Sequence, residues 1–158
     1  MSYTKRGARA GVSLIEILMV IAIFLVLFVL TTRSFSTTNA SKALDTEAQH
    51  IVAELNRARS LTLSSKNSQQ YGIHFATTSI TLFQSATYEV GSSTNDTVFL
   101  RTLIQVASTS FAGGGSNVVF ERLTGKTTQN GTVTLSLRSD ASRTKTVTIY
   151  ATGLVETQ

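Results

Sequence analysis

The chain contains no cysteine, no proline and no tryptophan, and only 15% of its 158 residues are charged. Without cysteine there is no disulfide framework and no thiolate metal site, so folding must rest on packing. Without proline, no helix is interrupted by a ring that removes a backbone donor. Histidine is scarce too. His50 and His74 fall on a predicted helix and a predicted strand and share no ligand spacing, so both are read as structural or surface residues. No serine stands in a G-x-S-x-G setting and no acid pair declares itself, so no catalytic residue, cofactor or metal is assigned. Gly125-Lys126-Thr127 copies the end of a phosphate-binding loop, but the glycine such a loop needs five residues earlier is Phe120. The Gly113-Gly114-Gly115 run precedes no helix pattern and is read as an exposed loop.

Excess positive charge is local. Three of the 14 Lys and Arg residues are Lys5, Arg6 and Arg9, and without them 11 cations face 9 acids. The basic pI is therefore a feature of the N-terminus. Arg101, Arg122, Arg138, Arg143 and Lys145 are scattered along the remainder, and nucleic acid is not an expected partner. Serine and threonine number 19 and 25, which suits a β-rich exported domain.

What the chain has in quantity is one hydrophobic run. Residues 17–30 are fourteen apolar residues in succession, and Val12, Leu14 and Ile15 extend the stretch to residues 11–30. About 20 residues at 1.5 Å each cross the hydrocarbon of a bilayer. The cations ahead of the run keep the N-terminus cytoplasmic and send residue 31 onward across the membrane. Glu16 interrupts the pattern, because a carboxylate inside such a helix needs a partner. Three fates fit the segment: a secretory signal peptide, a permanent anchor, or a leader removed ahead of the run. Thr38-Asn39-Ala40 and Ser41-Lys42-Ala43 offer the first of these a cleavage site, though far beyond the apolar segment and with Glu16 unexplained.

Gly11-Val12-Ser13-Leu14-Ile15-Glu16, with its short basic leader and the following Ile17-Leu18-Met19-Val20-Ile21-Ala22-Ile23, closely resembles the class III signal of type IV pilins and pseudopilins. The resemblance implies that a prepilin peptidase cuts between Gly11 and Val12 and methylates the new Val12 amine. Val12 departs from the family, which usually has Phe there. The resemblance also implies an assembly role for Glu16. The membrane and filament helix would be carried by Leu14, Ile15, Ile17, Leu18, Val20, Ile21, Phe24, Leu27 and Phe28. Chemistry supports the comparison independently. An amine at Val12 and a carboxylate at Glu16, four residues apart on one helical face, can neutralise one another in lipid, within a subunit or between neighbours.

Past residue 30 the helix pattern changes character. Leu44, Ala48, Ile51, Leu55, Ala58 and Thr62 recur at spacings of four and three, with Val52 widening the stripe and Asp45, Glu47, Glu54, Arg57 and Arg59 to its sides. This predicts a one-sided helix lying on a globular partner. A helix over 12–63 is expected, loosened where residues 31–39 are weak helix formers. Beyond residue 70 the period becomes two. Strands are expected at 71–75 and 80–84 as a hairpin, then at 98–106, 118–122, 132–138 and 145–151. Loops are expected at 91–97 and 108–117.

Tyr71-Gly72-Ile73-His74-Phe75, Thr81-Leu82-Phe83, Val119-Phe120-Glu121, Gly131-Thr132-Val133-Thr134-Leu135 and Thr148-Ile149-Tyr150 are together similar to the β-domain of H-type minor pseudopilins, the GspH/FimT group. The expected fold is α+β: a long N-terminal helix, transmembrane and then amphipathic, packed on a small antiparallel β-sandwich in pilin-like fashion. Its expected parts are a leader at 1–11, a membrane and filament helix at 12–32, an amphipathic helix at 33–65 and a β-domain at 66–158. The resemblance implies a non-enzymatic filament subunit of a type II secretion pseudopilus or type IV pilus. It would be stored in the inner membrane with its C-terminal domain outside the cytoplasm. Its partners would be prepilin peptidase, other pilin subunits, the inner-membrane assembly platform and, before assembly, lipid. Two alternatives remain open at this point: a pilus subunit that binds DNA or a surface, and a secreted β-domain released by an ordinary signal peptidase.

Overall fold

The computed structural model describes Gly11, residues 13–64 and residues 66–158, with the side chains of residues 30–38 and of Lys66 outside the description. The leader cations Lys5, Arg6 and Arg9 and the cleavage-site residue Val12 therefore lie outside the described residues.

Helix α1 runs Leu14–Leu63. It begins where the Ser13 carbonyl accepts from the Glu16 and Ile17 N–H groups at 3.0 and 3.2 Å. No Pro or Gly lies inside it, so nothing local breaks the hydrogen-bond ladder. It ends with Ser64 N–H on Ser60 O, after which Asn67 and Ser68 turn through left-handed backbone, φ 54° and 55°, in a short 3-10 turn, Lys66–Ser68. Contacts divide the chain into two units between Asn39 and Ala40, and α1 contributes to each.

The second unit holds eight strands: β1 (Tyr71–Phe75), β2 (Ser79–Gln84), β3 (Asp96–Phe99), β4 (Ile104–Phe111), β5 (Asn117–Val119), β6 (Gly131–Leu137), β7 (Asp140–Ile149) and β8 (Val155–Thr157). They form two antiparallel four-stranded sheets, ordered β3-β2-β1-β5 and β4-β6-β7-β8. Alternation fixes the inner faces. Ile73 and Phe75 of β1, Ile80 and Leu82 of β2, and Val133, Leu135 and Leu137 of β6 are buried in one cluster with Leu44, Ala48, Ile51, Leu55 and Ala58 of α1. Thr62 joins helix to sheet by a polar contact: its buried hydroxyl donates to Ala58 O and accepts from Tyr71 N–H, both at 2.9 Å. On the other face of β1, Gly72 is forced by packing, since a Cβ there would come 2.6 Å from both the Phe83 ring and Val118 O.

Strand bounds shift, with β3 starting at Asp96, β5 ending at Val119 and β7 starting at Asp140, and two expectations need correction in kind. The expected strand over 98–106 is two strands in different sheets. Residues 100–103 carry the chain across, with Leu100 buried and Ile104 N–H on Arg101 O at 2.8 Å. The period-two pattern continues through the crossing because Leu100 still faces the core, so alternation alone does not reveal it. Residues 108–117 were expected to be loop throughout, yet Ser108 to Phe111 complete β4 and pair with β6. An irregularity between Val106 and Ser108 shifts the register there, and exposed Ser and Thr positions hide the strand. Among the described residues no helix is long and apolar enough to cross a membrane.

Candidate assembly surface

In the first unit, Gly11 stands in the open: a side chain there would meet nothing within 4 Å. Glu16 lies in the first turn of α1, where the unsatisfied N–H groups of the helix start favour a carboxylate. Leu14, Ile15, Ile17, Leu18, Val20, Ile21, Phe24, Leu27 and Phe28 are all exposed, Leu14 to 79%. They lie on every side of the helix rather than along one stripe. Gly11, Glu16 and the nine apolar residues thus fall on one continuous stretch.

In the second unit, α1 is held to the β-domain by charge as well as by its buried stripe. Lys145 Nζ on β7 lies 2.9 Å from Asp45, and Arg57 lies 3.0 Å from Asp96 at the start of β3 and 3.1 Å from Glu54. The Arg57 guanidinium is raised above its ordinary pKa, first by hydrogen bonding to Glu54 and then to Asp96. Arg59 donates to Gly125 O at 3.0 Å and Thr152 O at 3.3 Å, satisfying carbonyls of two loops.

The sequence pattern set Glu47 to the side of the stripe; it is 4% exposed. Arg101, in the crossing between the sheets, lies 3.6 Å from its carboxylate and His50 lies 3.7 Å away. A carboxylate this buried needs a cation such as the Arg101 guanidinium, and only the fold brings Arg101 to it. His74 hydrogen-bonds Asn117 across 2.6 Å and stacks on Tyr88 at 4.0 Å between centroids, a structural setting. Among the described residues no group of three or more His, Cys, Asp or Glu could hold a metal.

Residues 47–153 match the family described as Type II transport protein GspH. No curated protein matches the chain in sequence. Among solved structures, the chain is similar to the minor pseudopilin EpsH from the type 2 secretion system of Vibrio cholerae. Identity is 14%, the TM-score is 0.55, and the match covers 73% of this chain and 95% of that one. It is also similar to the type IV minor pilin FimU of Pseudomonas aeruginosa, at 13% identity and TM-score 0.56 over 78% of this chain and 92% of that one. At such identities these likenesses concern the fold, a helix joined to two antiparallel sheets. The family match covers most of the second unit, including the buried carboxyl part of α1 from Glu47, every strand but β8 and the loop around Gly125, and on it the chain belongs to the GspH family of type II transport proteins.

Proposed function

We propose that the chain is a minor pseudopilin, a structural subunit of a type II secretion pseudopilus or of a related type IV pilus-like filament. The observation that carries the proposal is the all-round apolar exposure of residues 14–29, directly after Gly11 and with Glu16 in the first turn. Residues 1–11 are a leader removed by prepilin peptidase, and the Val12 amine is methylated. Residues 12–32 reside in the inner membrane until assembly, with the N-terminus cytoplasmic and residues 66–158 on the other side. Residues 33–65 connect the two. Other pilin-type subunits then replace lipid around the apolar helix. Helix packing in lipid gains little from the hydrophobic effect, so extraction into the filament depends on the assembly platform. Glu16 pairs with a Val12 amine, which removes the penalty of a lone carboxylate in that surrounding.

The DNA-binding reading gains no support from the placement of the basic residues, since Arg101 and Lys145 face Glu47 and Asp45. Mass spectrometry of the mature N-terminus tests the proposal. A chain beginning at methylated Val12 supports it, whereas one beginning at Ser41 or Leu44 identifies an ordinary signal peptide and overturns it.

A further inference from the structure

We infer that the hollow between α1 and the crossing at residues 100–103 is a binding site for one small zwitterion, an α-amino acid with an apolar side chain. Its ammonium meets Glu47, its carboxylate meets Arg101 and its side chain lies on Phe99. The inference goes beyond the filament reading and does not rest on it, because every residue of the site belongs to the second unit.

Thr46, Glu47 and His50 of α1 line one hollow of about 310 Å³ together with Phe99 and Arg101. That is the low end of the small-molecule range, about 300–1,000 Å³. Leu100 is buried, and its two neighbours turn outward: Phe99 is 76% exposed and the Arg101 side chain 60% exposed. Phe99 ends β3, the outer strand of its sheet, and its ring adds little to the core.

The Glu47 side chain is only 5% exposed, with Arg101 Nε 3.6 Å and His50 Nδ1 3.7 Å from its oxygens. Both distances are longer than a hydrogen bond. Burial has thus taken most of the water from this carboxylate without supplying a hydrogen bond in return. Among the described residues no buried side-chain oxygen or nitrogen is both sealed from solvent and unbonded, so what remains open of Glu47 faces the hollow it lines. It is an acceptor short of a donor. Arg101 is the converse. Its Nε is turned to Glu47, and among the described residues no hydrogen bond engages its two terminal nitrogens.

Glu47 and Arg101 give the hollow one charge of each sign. A cation would gain from Glu47 and lose to Arg101, and an anion the reverse. A zwitterion laid antiparallel to the ion pair gains at both ends, and the planar guanidinium can take its carboxylate through two N–H groups. Phe99 then selects among zwitterions, since an apolar side chain on its ring leaves water and glycine has none to place there.

Because the chain has no tryptophan, tryptophan itself is a fluorescent ligand free of protein background under excitation selective for indole. With full-length protein in detergent micelles, L-tryptophan should give a saturable rise in anisotropy that empty micelles do not, with a dissociation constant of about 1 mM or below. N-acetyltryptophan, an anion, and tryptamine, a cation, should each bind at least several-fold more weakly. Leucine should displace tryptophan, and glycine should not. Phe99→Ala and Arg101→Lys change exposed side chains and should leave the thermal transition in place while weakening binding several-fold, the second because it keeps the charge and loses the paired N–H groups. Absence of saturable binding would overturn the inference. So would tryptamine or N-acetyltryptophan binding as well as tryptophan, displacement by glycine equal to that by leucine, or binding untouched by both substitutions. Chains cut and uncut at Gly11 should bind alike, so the filament reading stands or falls separately on the mature N-terminus.

Discussion

The two parts of α1 share a backbone and almost nothing else. Over residues 14–29 every large apolar side chain is exposed, while Leu44, Ala48, Ile51, Leu55 and Ala58 are buried along one stripe. Helix propensity does not separate them, since both parts are helical. The difference is in what satisfies the apolar surface. In the second unit the chain supplies its own partner, two sheets whose alternation matches the stripe. In the first unit the exposed apolar side chains follow no single stripe. Segments of one helix can thus be specified for different surroundings by periodicity alone.

The largest effect should come from forcing a carboxylate onto each part in turn. Ile51 is fully buried, and Ile51→Asp puts an unpaired charge into the core, at a cost that takes most of a domain stability of about 5–15 kcal/mol. Loss of the cooperative thermal transition and rapid proteolysis are expected. Ile21→Asp should leave that transition where it is and abolish filament assembly instead. If both variants lose the transition, the two parts are not as independent as their burial implies.

Glu16→Ala sharpens the contrast without adding bulk or charge. The expected outcome is a stable subunit, present in membranes and cut normally, that fails to enter filaments. Immunoblots of membrane and sheared-filament fractions measure this, and normal filaments would remove the role given to Glu16. Its absence should not move the melting of the second unit.

A smaller effect tests the polar contact between helix and sheet. Thr62→Val keeps the volume but leaves the Tyr71 N–H without the hydroxyl that accepts from it, which costs about 1–3 kcal/mol. Chemical denaturation should show an earlier midpoint with an unchanged slope. An unchanged midpoint would mean that Tyr71 finds another acceptor.

The same division explains what could be read from sequence. The stripe from Leu44 to Thr62 and the β1–β2 hairpin were legible because each repeats its period with no competing pattern. The crossing at residues 100–103 was not, because Val98, Leu100, Ile104 and Val106 keep an even spacing while the chain changes sheets. No Gly or Pro marks the turn. The strand over Ser108 to Phe111 was hidden by hydroxyl residues on an outer strand, where alternation carries little hydrophobic contrast. On the assembly surface, Gly11, Glu16 and the apolar run were legible because they are contiguous. Glu47 with Arg101 was not, since only the fold brings them together.

The smallest effect belongs to the exposed start of β7, and it asks whether a position outside the core contributes to stability at all. Ser142 donates to the Asp140 carboxylate through its hydroxyl at 2.6 Å and its backbone N–H at 3.1 Å. Those bonds, the hydroxyl's first, hold the Asp140 pKa below its ordinary value. A depressed folded pKa stabilises the native state above the unfolded pKa, and that contribution disappears as pH falls through the folded one. The window is therefore acidic, beginning at the ordinary carboxylate value and extending below it. Full solvent exposure keeps the contribution slight. An NMR titration should show Asp140 ionising below an ordinary aspartate, and Ser142→Ala should move it back up while leaving neutral-pH melting nearly unchanged. An Asp140 that titrates normally in the unsubstituted chain would show that the hairpin end is not locked. Stability in the second unit would then rest on its buried contacts, which would deepen the contrast with the first.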